Sequence, residues 1–426
     1  MKALVIAPQP FFSARGTPFS VYYRTMLMAE SGVSIDLLTY GQGEDVDLPG
    51  VRVIRTPALG WLGTVRVGPS ALKLLHDTLI VLWAMALLLR NRYDFVHAHE
   101  ESIFVALLFK PLFQYQLVYD MHSSLPQQLE NFQYTSSRLL IRLFERLEEA
   151  SLTSADAVIT ICPELARLAV RRMPDPTRHF LIENSLLDEV RLKQGRRAAP
   201  ESQATEPSVP HDRPIILYLG SFEPYQGLHL LIAAFARLRE QHPDAFLVLM
   251  GGLPEQVQRL SALAAEHGLE GHCLVTGRVP QHVARQFAQR ATTLVSPRDR
   301  GSNTPLKVYE QLASGIPLVA TRIPSHTQVL NERVCFLVEP TVEGLAQGIL
   351  DSLQDQRRRN EVVAGALGLY DEKYSRTVYE HAVRSVLGLL EQGRRAPAPR
   401  FALGYSTRAA VASSVGSKEP AASSMS

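Results

Sequence analysis

The chain has 426 residues, of which 46% are hydrophobic and 20% are charged, and its formal net charge at pH 7 is +2. This length exceeds what one hydrophobic core usually fills and predicts about two to three domains, while the composition excludes a disordered or fibrous protein. Because the charge is nearly balanced, we expect no nucleic-acid partner.

The chain opens with MKALVIAPQPFF, an apolar run that ends at Pro8 and predicts a first β-strand rather than a secretory signal. Its three cysteines lie in apolar runs without metal-ligand spacing, so we expect reduced thiols and a cytoplasmic protein. The apolar run at residues 79–89 is too short to span a bilayer and predicts a buried helix, with an interfacial anchor as the alternative.

Residues 1–190 alternate strand-like runs with segments of helical period, which predicts a parallel sheet flanked by helices. Two of these runs, YDFVHAHE and QLVYDMH, end in polar side chains, and ligands bind at the carboxyl ends of parallel strands. His97 and His99 share a strand face by the period of two and are followed by Glu100, while Asp120 and His122 end the next run.

The His-x-His pattern of His97 and His99 allows a metal site as one interpretation. A third ligand at recognisable spacing is missing from the sequence, and histidines at strand ends are often structural. We therefore expect no metal and no other cofactor.

A polar, proline-containing stretch at residues 191–213 predicts a linker between domains. At residue 214 the alternation restarts, and a second doubly wound sheet is predicted for residues 214–367. Residues 368–393 form a helical segment for which a return to the first domain is one arrangement, and residues 394–426 predict a disordered tail.

The segment at residues 296–321 reads SPRDRGSNTPLKVYEQLASGIPLVAT and joins a strand, a turn, a helix and a strand. The turn consists of Gly301, Ser302, Asn303, Thr304 and Pro305, and we expect Pro305 in the first helical turn, where free N–H groups bind an anion such as a diphosphate. Lys307 and Glu310 are three residues apart on this helix, so they serve phosphate and ribose or, alternatively, form a surface ion pair.

This segment resembles the retaining glycosyltransferases of family 4, also called the group 1 family, because Glu310 and ASGIPLVAT fit the family motif. The resemblance implies the α/β GT-B fold, in which two Rossmann-like, doubly wound parallel-sheet domains face a cleft. It also implies retaining transfer from a UDP- or GDP-sugar to a hydroxyl of a carbohydrate or lipid-linked acceptor, as in the synthesis of cell-envelope polysaccharides or glycolipids.

The sequence departs from the family motif at three places. Ser302 stands where the family has a first Glu, and Ser221 and Gln226 stand where the family has an Arg and a Lys that meet the diphosphate. Arg298 and Arg300 precede the turn, and we expect them to replace the missing cations beside the leaving group.

The resemblance also assigns roles to the remaining candidates. The loop at Gly16 is similar to the family's glycine-containing loop at the donor, and His122 takes the place of a histidine that contacts the donor sugar, with a structural cap as the alternative. The expected catalytic residues are His122, Arg298, Lys307 and Glu310; the donor-binding residues are Gly16, Gly220, Ser221, Gln226, Gly227, Arg300, Ser302, Asn303, Thr304, Pro305 and Leu306; and the acceptor-side residues are His97, His99, Glu100 and Asp120.

Two other functions fit parts of the sequence. The three departures fit a protein that binds a nucleotide sugar with little transferase activity, and a nucleotide-sugar epimerase is a weaker alternative because no carboxylate pair beyond Glu100 and Glu101 suits proton transfer. Arg66, Lys73, Arg90 and Arg92 flank the apolar run at residues 79–89, which allows peripheral contact with the inner face of the membrane.

Overall fold

The computed structural model describes residues 1–13, 16–58, 63, 71–126, 138–186, 190, 212–279, 281–301 and 303–395. Most of the predicted linker, the predicted tail from residue 396 onward, and Ser302 and Arg66 lie outside the described residues. The predictions made for them, including the domain bounds at the linker, stay predictions.

The first lobe is built on a seven-stranded sheet whose strands all pair in parallel. The strand order is β3-β2-β1-β4-β5-β6-β7, so the order reverses between β1 and β4, and such a reversal opens a crevice at the carboxyl edge. The strands are β1 (Lys2–Ala7), β2 (Ser34–Thr39), β3 (Val51–Arg55), β4 (Phe95–His99), β5 (Gln116–Met121), β6 (Ala157–Thr160) and β7 (His179–Leu181).

Helices cover both faces of this sheet. The helix α1 packs on one face, and four crossover helices contribute to the hydrophobic cluster on the opposite face. The helices are α1 (Gly16–Glu30), α2 (Ala71–Arg90), α3 (Ser102–Phe113), α4 (Arg138–Ser154) and α5 (Pro163–Arg172). Side chains on β4 and β5 therefore face either α1 or the crossover helices, according to their parity.

The second lobe has a six-stranded parallel sheet with the order β10-β9-β8-β11-β12-β13, which repeats the topology of the first lobe. The strands are β8 (Ile215–Leu219), β9 (Phe246–Met250), β10 (Cys273–Thr276), β11 (Thr293–Ser296), β12 (Leu318–Thr321) and β13 (Phe336–Val338). The prediction of two doubly wound parallel-sheet domains is confirmed.

The helices of the second lobe and the C-terminal segment are α6 (Leu228–Leu238), α7 (Pro254–Glu266), α8 (Gln281–Arg290), α9 (Lys307–Ala313), α10 (Pro324–Thr327), α11 (Val342–Gln354), α12 (Gln356–Lys373) and α13 (Arg376–Arg395). The last of them, α13, packs against α1 of the first lobe. Tyr379 and Val383 are buried in the first lobe's core, and Arg376 forms an ion pair of 2.8 Å with Glu30 at the end of α1.

The apolar helix α2 is covered on one side only, so the expectation of a buried helix was wrong for its outer half. Ile80, Ala84 and Leu88 recur every four residues and pack on the sheet, whereas Leu82 and Leu89 are 52% and 69% exposed. By length and composition, α2 is the one described helix that could cross a membrane, yet here it forms part of the lobe.

Candidate active site

Four polar side chains at the carboxyl ends of β4 and β5 form one buried cluster. His99 lies directly opposite Asp120 in the strand register, and the period of two places His97 and His122 on the same face of the sheet. The Asp120 carboxylate is contacted by His97 Nε2 at 3.0 Å, His99 Nδ1 at 3.3 Å and His122 Nε2 at 3.2 Å. Of the expected acceptor-side and catalytic residues of the first lobe, all except Glu100 are thus brought together.

A fifth member of this cluster, Arg24 of α1, was missed by the sequence analysis. Its Nη1 donates to both carboxylate oxygens of Asp120 at 2.8 Å, and its Nη2 donates to the carbonyl oxygen of Ile182 at 2.6 Å. Arg24 comes from a helix that packs on the same face of the sheet, and only the position of an Arg on the buried side of α1 could have signalled the pairing.

The charges in this cluster balance one another. Burial opposes ionisation of Asp120, but the Arg24 guanidinium and the hydrogen bond from His122 hold its pKa well below the usual range. Burial also lowers the pKa of His99 well below its usual value, so this ring is neutral at pH 7. An ionised Asp120 accepts hydrogen bonds, so it favours the His122 tautomer that carries its proton on Nε2 and leaves the lone pair on Nδ1.

Ligand atoms of His97, His99 and Asp120 lie within 4.8 Å of one another, a spacing that could hold a metal ion. Two features oppose a cation there. The Arg24 guanidinium already supplies a positive charge to both oxygens of Asp120. Among the described residues, the second ring nitrogens of His97 and His99 have no hydrogen-bond partner to orient them as metal ligands.

On the second lobe, α9 begins at Lys307 rather than at Pro305. The expectation that Pro305 lies in the first helical turn was wrong: Leu306 is the N-cap, and the carbonyl oxygen of Pro305 accepts a bond from the Val308 N–H. The helix therefore starts two residues later, and Asn303, Thr304 and Pro305 form an extended turn ahead of it.

The Lys307 side chain contacts the last residues of β8. Its Nζ donates to the carbonyl oxygen of Leu219 at 3.3 Å and lies 3.9 Å from the centre of the Tyr218 ring. Burial and the nearby Arg298 lower the pKa of Lys307. Among the described residues Lys307 and Glu310 form no ion pair, so the alternative of a surface ion pair was wrong.

Glu310 lies at the exposed surface of α9, one helical turn after Lys307. The surrounding protein nevertheless desolvates this carboxyl group and raises its pKa, and Arg285 and Lys307 act in the opposite direction. A carboxylate at the open side of the helix is available to accept hydrogen bonds from hydroxyl groups of a ligand.

The loop after β8 packs closely on the loop after β11. Gly227 has a φ of +68°, and a Cβ there would lie 2.0 Å from the carbonyl oxygen of Pro297, so this position requires glycine. Gln226 is buried, and its Nε2 lies 3.4 Å from Ser221 Oγ. At Gly220, also at positive φ, a Cβ would lie 3.0 Å from Lys307 Nζ.

The structure separates the two arginines that precede the turn. Arg298 folds over the turn, where its Nη1 donates to the carbonyl oxygen of Asn303 at 3.0 Å and its guanidinium lies 5.1 Å from the centre of the Tyr225 ring. Arg300 is 72% exposed and lies 3.6 Å from Asp299. Arg298 is thus built into the candidate donor site, whereas Arg300 extends from its rim.

A second residue missed by the sequence analysis, His326 of α10, holds the strand ends behind Arg298. Its ring nitrogens contact Ser296 Oγ at 3.0 Å and the carbonyl oxygen of Thr321 at 2.9 Å. Burial lowers the pKa of His326 to about 4, so the ring is neutral. Its position just after a predicted strand is the only signal that the sequence offered.

The two lobes meet at the candidate site. Asn303 Nδ2 donates to the backbone carbonyl of His122 at 3.3 Å, so the turn before α9 touches the histidine cluster of the first lobe. Nearby, the Tyr309 hydroxyl of α9 donates to Glu183 Oε1 at 2.8 Å. Burial raises the pKa of Glu183 to about 7.

The remaining candidates border this region. Gly16 is the first residue of α1, and Glu100 follows β4 with a φ of 53° and accepts from Ser123 Oγ at 3.4 Å. The hydroxyl of Thr304 is buried and has no hydrogen-bond partner in the described part of the chain, and Leu306 is the N-cap of α9. Ser302 lies outside the described residues. These placements leave the assigned roles as predictions.

Two Rossmann-type lobes with a polar site where they meet define the GT-B fold class. Solved structures share this architecture. Sucrose-phosphate synthase from Thermosynechococcus elongatus superposes with a TM-score of 0.69 at 21% identity, covering 93% of this chain and all of that one. HepE from Anabaena in complex with UDP-glucose superposes with a TM-score of 0.64 at 15% identity, covering 91% and 99% of the two chains. At these identities the likeness shows the fold alone.

Both lobes also match known sequence families. The family "Glycosyl transferases group 1" matches residues 201–366, and "Glycosyl transferase 4-like domain" matches residues 26–185. The chain therefore belongs to the group 1 glycosyltransferases. A relative is the GDP-mannose-dependent alpha-(1-6)-phosphatidylinositol monomannoside mannosyltransferase of Mycolicibacterium smegmatis, 29% identical over 193 residues. The alignment covers 43% of this chain and 49% of that enzyme, so the chain matches about half the length of this relative.

Proposed function

We propose that this protein transfers a sugar, with retention of anomeric configuration, from a UDP- or GDP-sugar to a hydroxyl of a carbohydrate or lipid-linked acceptor. The observation that carries this proposal is the contact between Asn303 and the His122 backbone. It joins the segment most similar to a nucleotide-sugar site to the histidine cluster of the other lobe. The proposal places the enzyme in the cytoplasm, in peripheral contact with a membrane, in cell-envelope polysaccharide or glycolipid synthesis.

The donor diphosphate fits between the loop after β8 and the turn before α9. Arg298 supplies positive charge there, a bound diphosphate would favour the protonated form of Lys307, and the glycines at 220 and 227 let the backbone approach closely. As the sugar–phosphate bond breaks, negative charge grows on the departing diphosphate, and fixed cations in a partly desolvated site stabilise that charge. The exposed carboxylate of Glu310 accepts hydrogen bonds from ribose hydroxyls.

The first lobe orients the sugar and the acceptor. Asp120 fixes the His122 ring, and the lone pair on Nδ1 accepts a hydrogen bond from a sugar hydroxyl next to the reacting carbon. In retaining transfer the acceptor attacks on the face from which the diphosphate leaves, so a donor phosphate oxygen takes the acceptor proton. Closing of the two lobes excludes water from that step.

The proposal includes no metal and no other cofactor. The positive charge that a divalent ion would bring to the diphosphate comes from Arg298 and from Lys307 in the protonated form that the diphosphate favours, and Arg24 already neutralises Asp120. We therefore expect full turnover in the presence of a chelator.

The similar proteins support a nucleotide-sugar donor, and both UDP- and GDP-sugars occur among them. One solved structural neighbour is described in complex with UDP-glucose, and one relative is described as GDP-mannose-dependent. The M. smegmatis relative acts, by its description, on a phosphatidylinositol mannoside, which is a lipid-linked acceptor.

A ligand screen by thermal shift tests the proposal. The protein is titrated with UDP, GDP, UDP-glucose and GDP-mannose, and a ligand at 100 times its Kd raises the unfolding free energy by about 2.7 kcal/mol. Selective stabilisation by one base supports the proposal, and release of the nucleoside diphosphate with a chelator present then confirms turnover. Absence of a shift with every nucleotide would refute it.

A second candidate is a nucleotide-sugar-binding protein with little transferase activity. The observation that favours it is the loop after β8, where Ser221 and Gln226 bond each other at 3.4 Å and bring no cation to the diphosphate. Stabilisation by a nucleotide sugar without hydrolysis or transfer, in the presence of candidate acceptors, would favour this second function.

A further inference from the structure

The outer surface of the first lobe carries an unusual share of the chain's exposed apolar side chains. Of the fifteen large hydrophobic residues that are exposed in the described part of the chain, ten belong to α2, α3 and α4. We call this surface the leucine face. It is defined by Leu82 and Leu89 of α2, Leu108 and Leu112 of α3, and Leu139 and Leu143 of α4.

These side chains form one surface, because α2 contacts α3, α3 contacts α4, and all three helices cover the same face of the sheet. The exposures on α3 and α4 are large: 72% for Leu108, 73% for Leu112 and 80% for Leu139. Spacings of seven residues on α2 and four on α3 and α4 keep each set on one side of its helix. Scattered exposed leucines need no explanation, but a continuous apolar surface does.

The helix α2 is more apolar than its burial in the lobe requires. It is apolar enough along 19 residues to cross a membrane, yet only 22% of its most apolar window is buried. In the core helix of a soluble protein, most of the residues in such a window are buried. The uncovered half of α2 faces away from the sheet.

Basic side chains accompany the leucine face. Arg142 and Arg146 follow Leu139 and Leu143 by three residues, so they lie beside them on α4, and Arg90 and Arg92 follow Leu89. All four arginines are exposed and form no ion pair with any other described residue. The exposed acids on α4, Glu145 and Glu149, offset only half of this charge.

We propose that the leucine face docks on the surface of an anionic phospholipid bilayer, with the leucines in the acyl boundary and the arginines at the headgroups. Apolar area and basic charge on one side of a protein are the two components of interfacial binding. A second copy of the chain fits less well, because a two-fold contact through this face would bring the two sets of arginines together.

The position of the leucine face relative to the cleft also concerns the acceptor, and this part of the inference rests on the proposed transferase function. Crossover helices run antiparallel to their strands, so the N-terminal ends of α2 and α4 lie at the carboxyl edge of the sheet, where the site is. Leu139 and Leu143 are in the first two turns of α4. A bilayer on this face therefore reaches the edge of the cleft, where a lipid-linked hydroxyl would enter.

Vesicle flotation tests the docking without any nucleotide sugar. The full chain is mixed with vesicles of phosphatidylcholine alone or of equimolar phosphatidylcholine and phosphatidylglycerol, and the floated fraction is measured. We expect flotation with the anionic vesicles only. Leu112→Gln lowers the partition coefficient about tenfold, and Arg142→Gln with Arg146→Gln lowers it about fivefold per charge.

Matched variants on the second lobe serve as controls, since Leu367 is exposed on α12 and Arg259 is exposed on α7. Leu367→Gln and Arg259→Gln are expected to float like the unaltered chain. Equal flotation of Leu112→Gln and Leu367→Gln, or no flotation with anionic vesicles, would overturn the proposal. A lipid-free dimer that Leu112→Gln converts to a monomer would assign the face to a second copy instead. Failure of donor binding leaves this test intact, so the two proposals fail separately.

Discussion

At the scale of single residues, the buried group of His97, His99, Asp120, His122 and Arg24 links two uses of the same side chains. Asp120 pairs with Arg24 to keep a buried charge neutral, and it also orients the ring of His122. Removing one partner of a buried ion pair leaves the other charge without compensation and costs about 3–5 kcal/mol. Stability and the orientation of His122 therefore depend on one carboxylate.

Replacing His122 tests its role. We expect His122→Ala to lower kcat by about a hundredfold or more, because a hydrogen bond that positions the donor sugar is lost. We also expect the unfolding free energy to fall by about 1–3 kcal/mol, because the buried Asp120 loses a hydrogen-bond partner. Steady-state kinetics and thermal unfolding measure the two effects. His229→Ala, on the exposed side of α6, is the control. Unchanged turnover of a folded His122→Ala enzyme would reduce the residue to a structural cap.

The two arginines before the turn are expected to differ. Arg298→Gln removes a guanidinium that folds over the turn, so we expect kcat to fall by about a hundredfold, as for other fixed groups that meet a leaving charge. Arg300→Gln changes a side chain that is 72% exposed, and we expect less than about a threefold effect on kcat. Steady-state kinetics of the two variants, measured side by side, test this difference. Equal decreases in kcat would contradict the role of Arg298 in stabilising the leaving diphosphate.

At the scale of elements, the sequence predicted what depends on local pattern and missed what depends on packing between elements. The alternation of apolar runs predicted both sheets, and the period of two placed His97 and His99 on one face. The start of α9 was misplaced by two residues because a proline before a helix fits either the first turn or the position ahead of the N-cap.

Long-range contacts were beyond the sequence pattern. The hydrogen bond between Arg24 and Asp120 joins residues 96 positions apart. It exists only because α1 packs on the face of the sheet that carries Asp120 of β5 and the two histidines of β4. Likewise, the apolar run of α2 predicted burial, but the helix is covered on one side only. A sequence shows that a segment is apolar without showing how much of it a neighbouring element covers.

At the scale of the whole molecule, the burial of Glu183, which accepts a hydrogen bond from Tyr309 of the other lobe, makes the lobe junction sensitive to pH. The pKa of Glu183 is about 7 in the folded protein against 4.5 in a model peptide, so the folded state binds more protons between these values. Stability conferred by the protonated carboxyl is therefore complete below about pH 4.5 and is lost as the pH rises to about 7.

We expect Glu183→Gln to remove this part of the pH dependence. The neutral amide keeps a hydrogen-bond acceptor for Tyr309 without an ionisation, so the variant should gain stability relative to the unaltered chain as the pH rises from about 4.5 to 7. Denaturant unfolding at pH 5, 6 and 7 measures the difference. A constant difference over this range would show that Glu183 ionises normally in the folded protein.

The return of α13 to the first lobe makes that lobe discontinuous in the gene. Its wall against α1 is completed by residues that follow the entire second lobe, with Tyr379 and Val383 in its core. A first lobe expressed from its own contiguous stretch would expose the apolar surface that α13 covers. Chimaeras that exchange donor lobes between relatives would therefore have to keep the last helix with the acceptor-side partner, and the chain can finish its first folding unit only after its second has been synthesised.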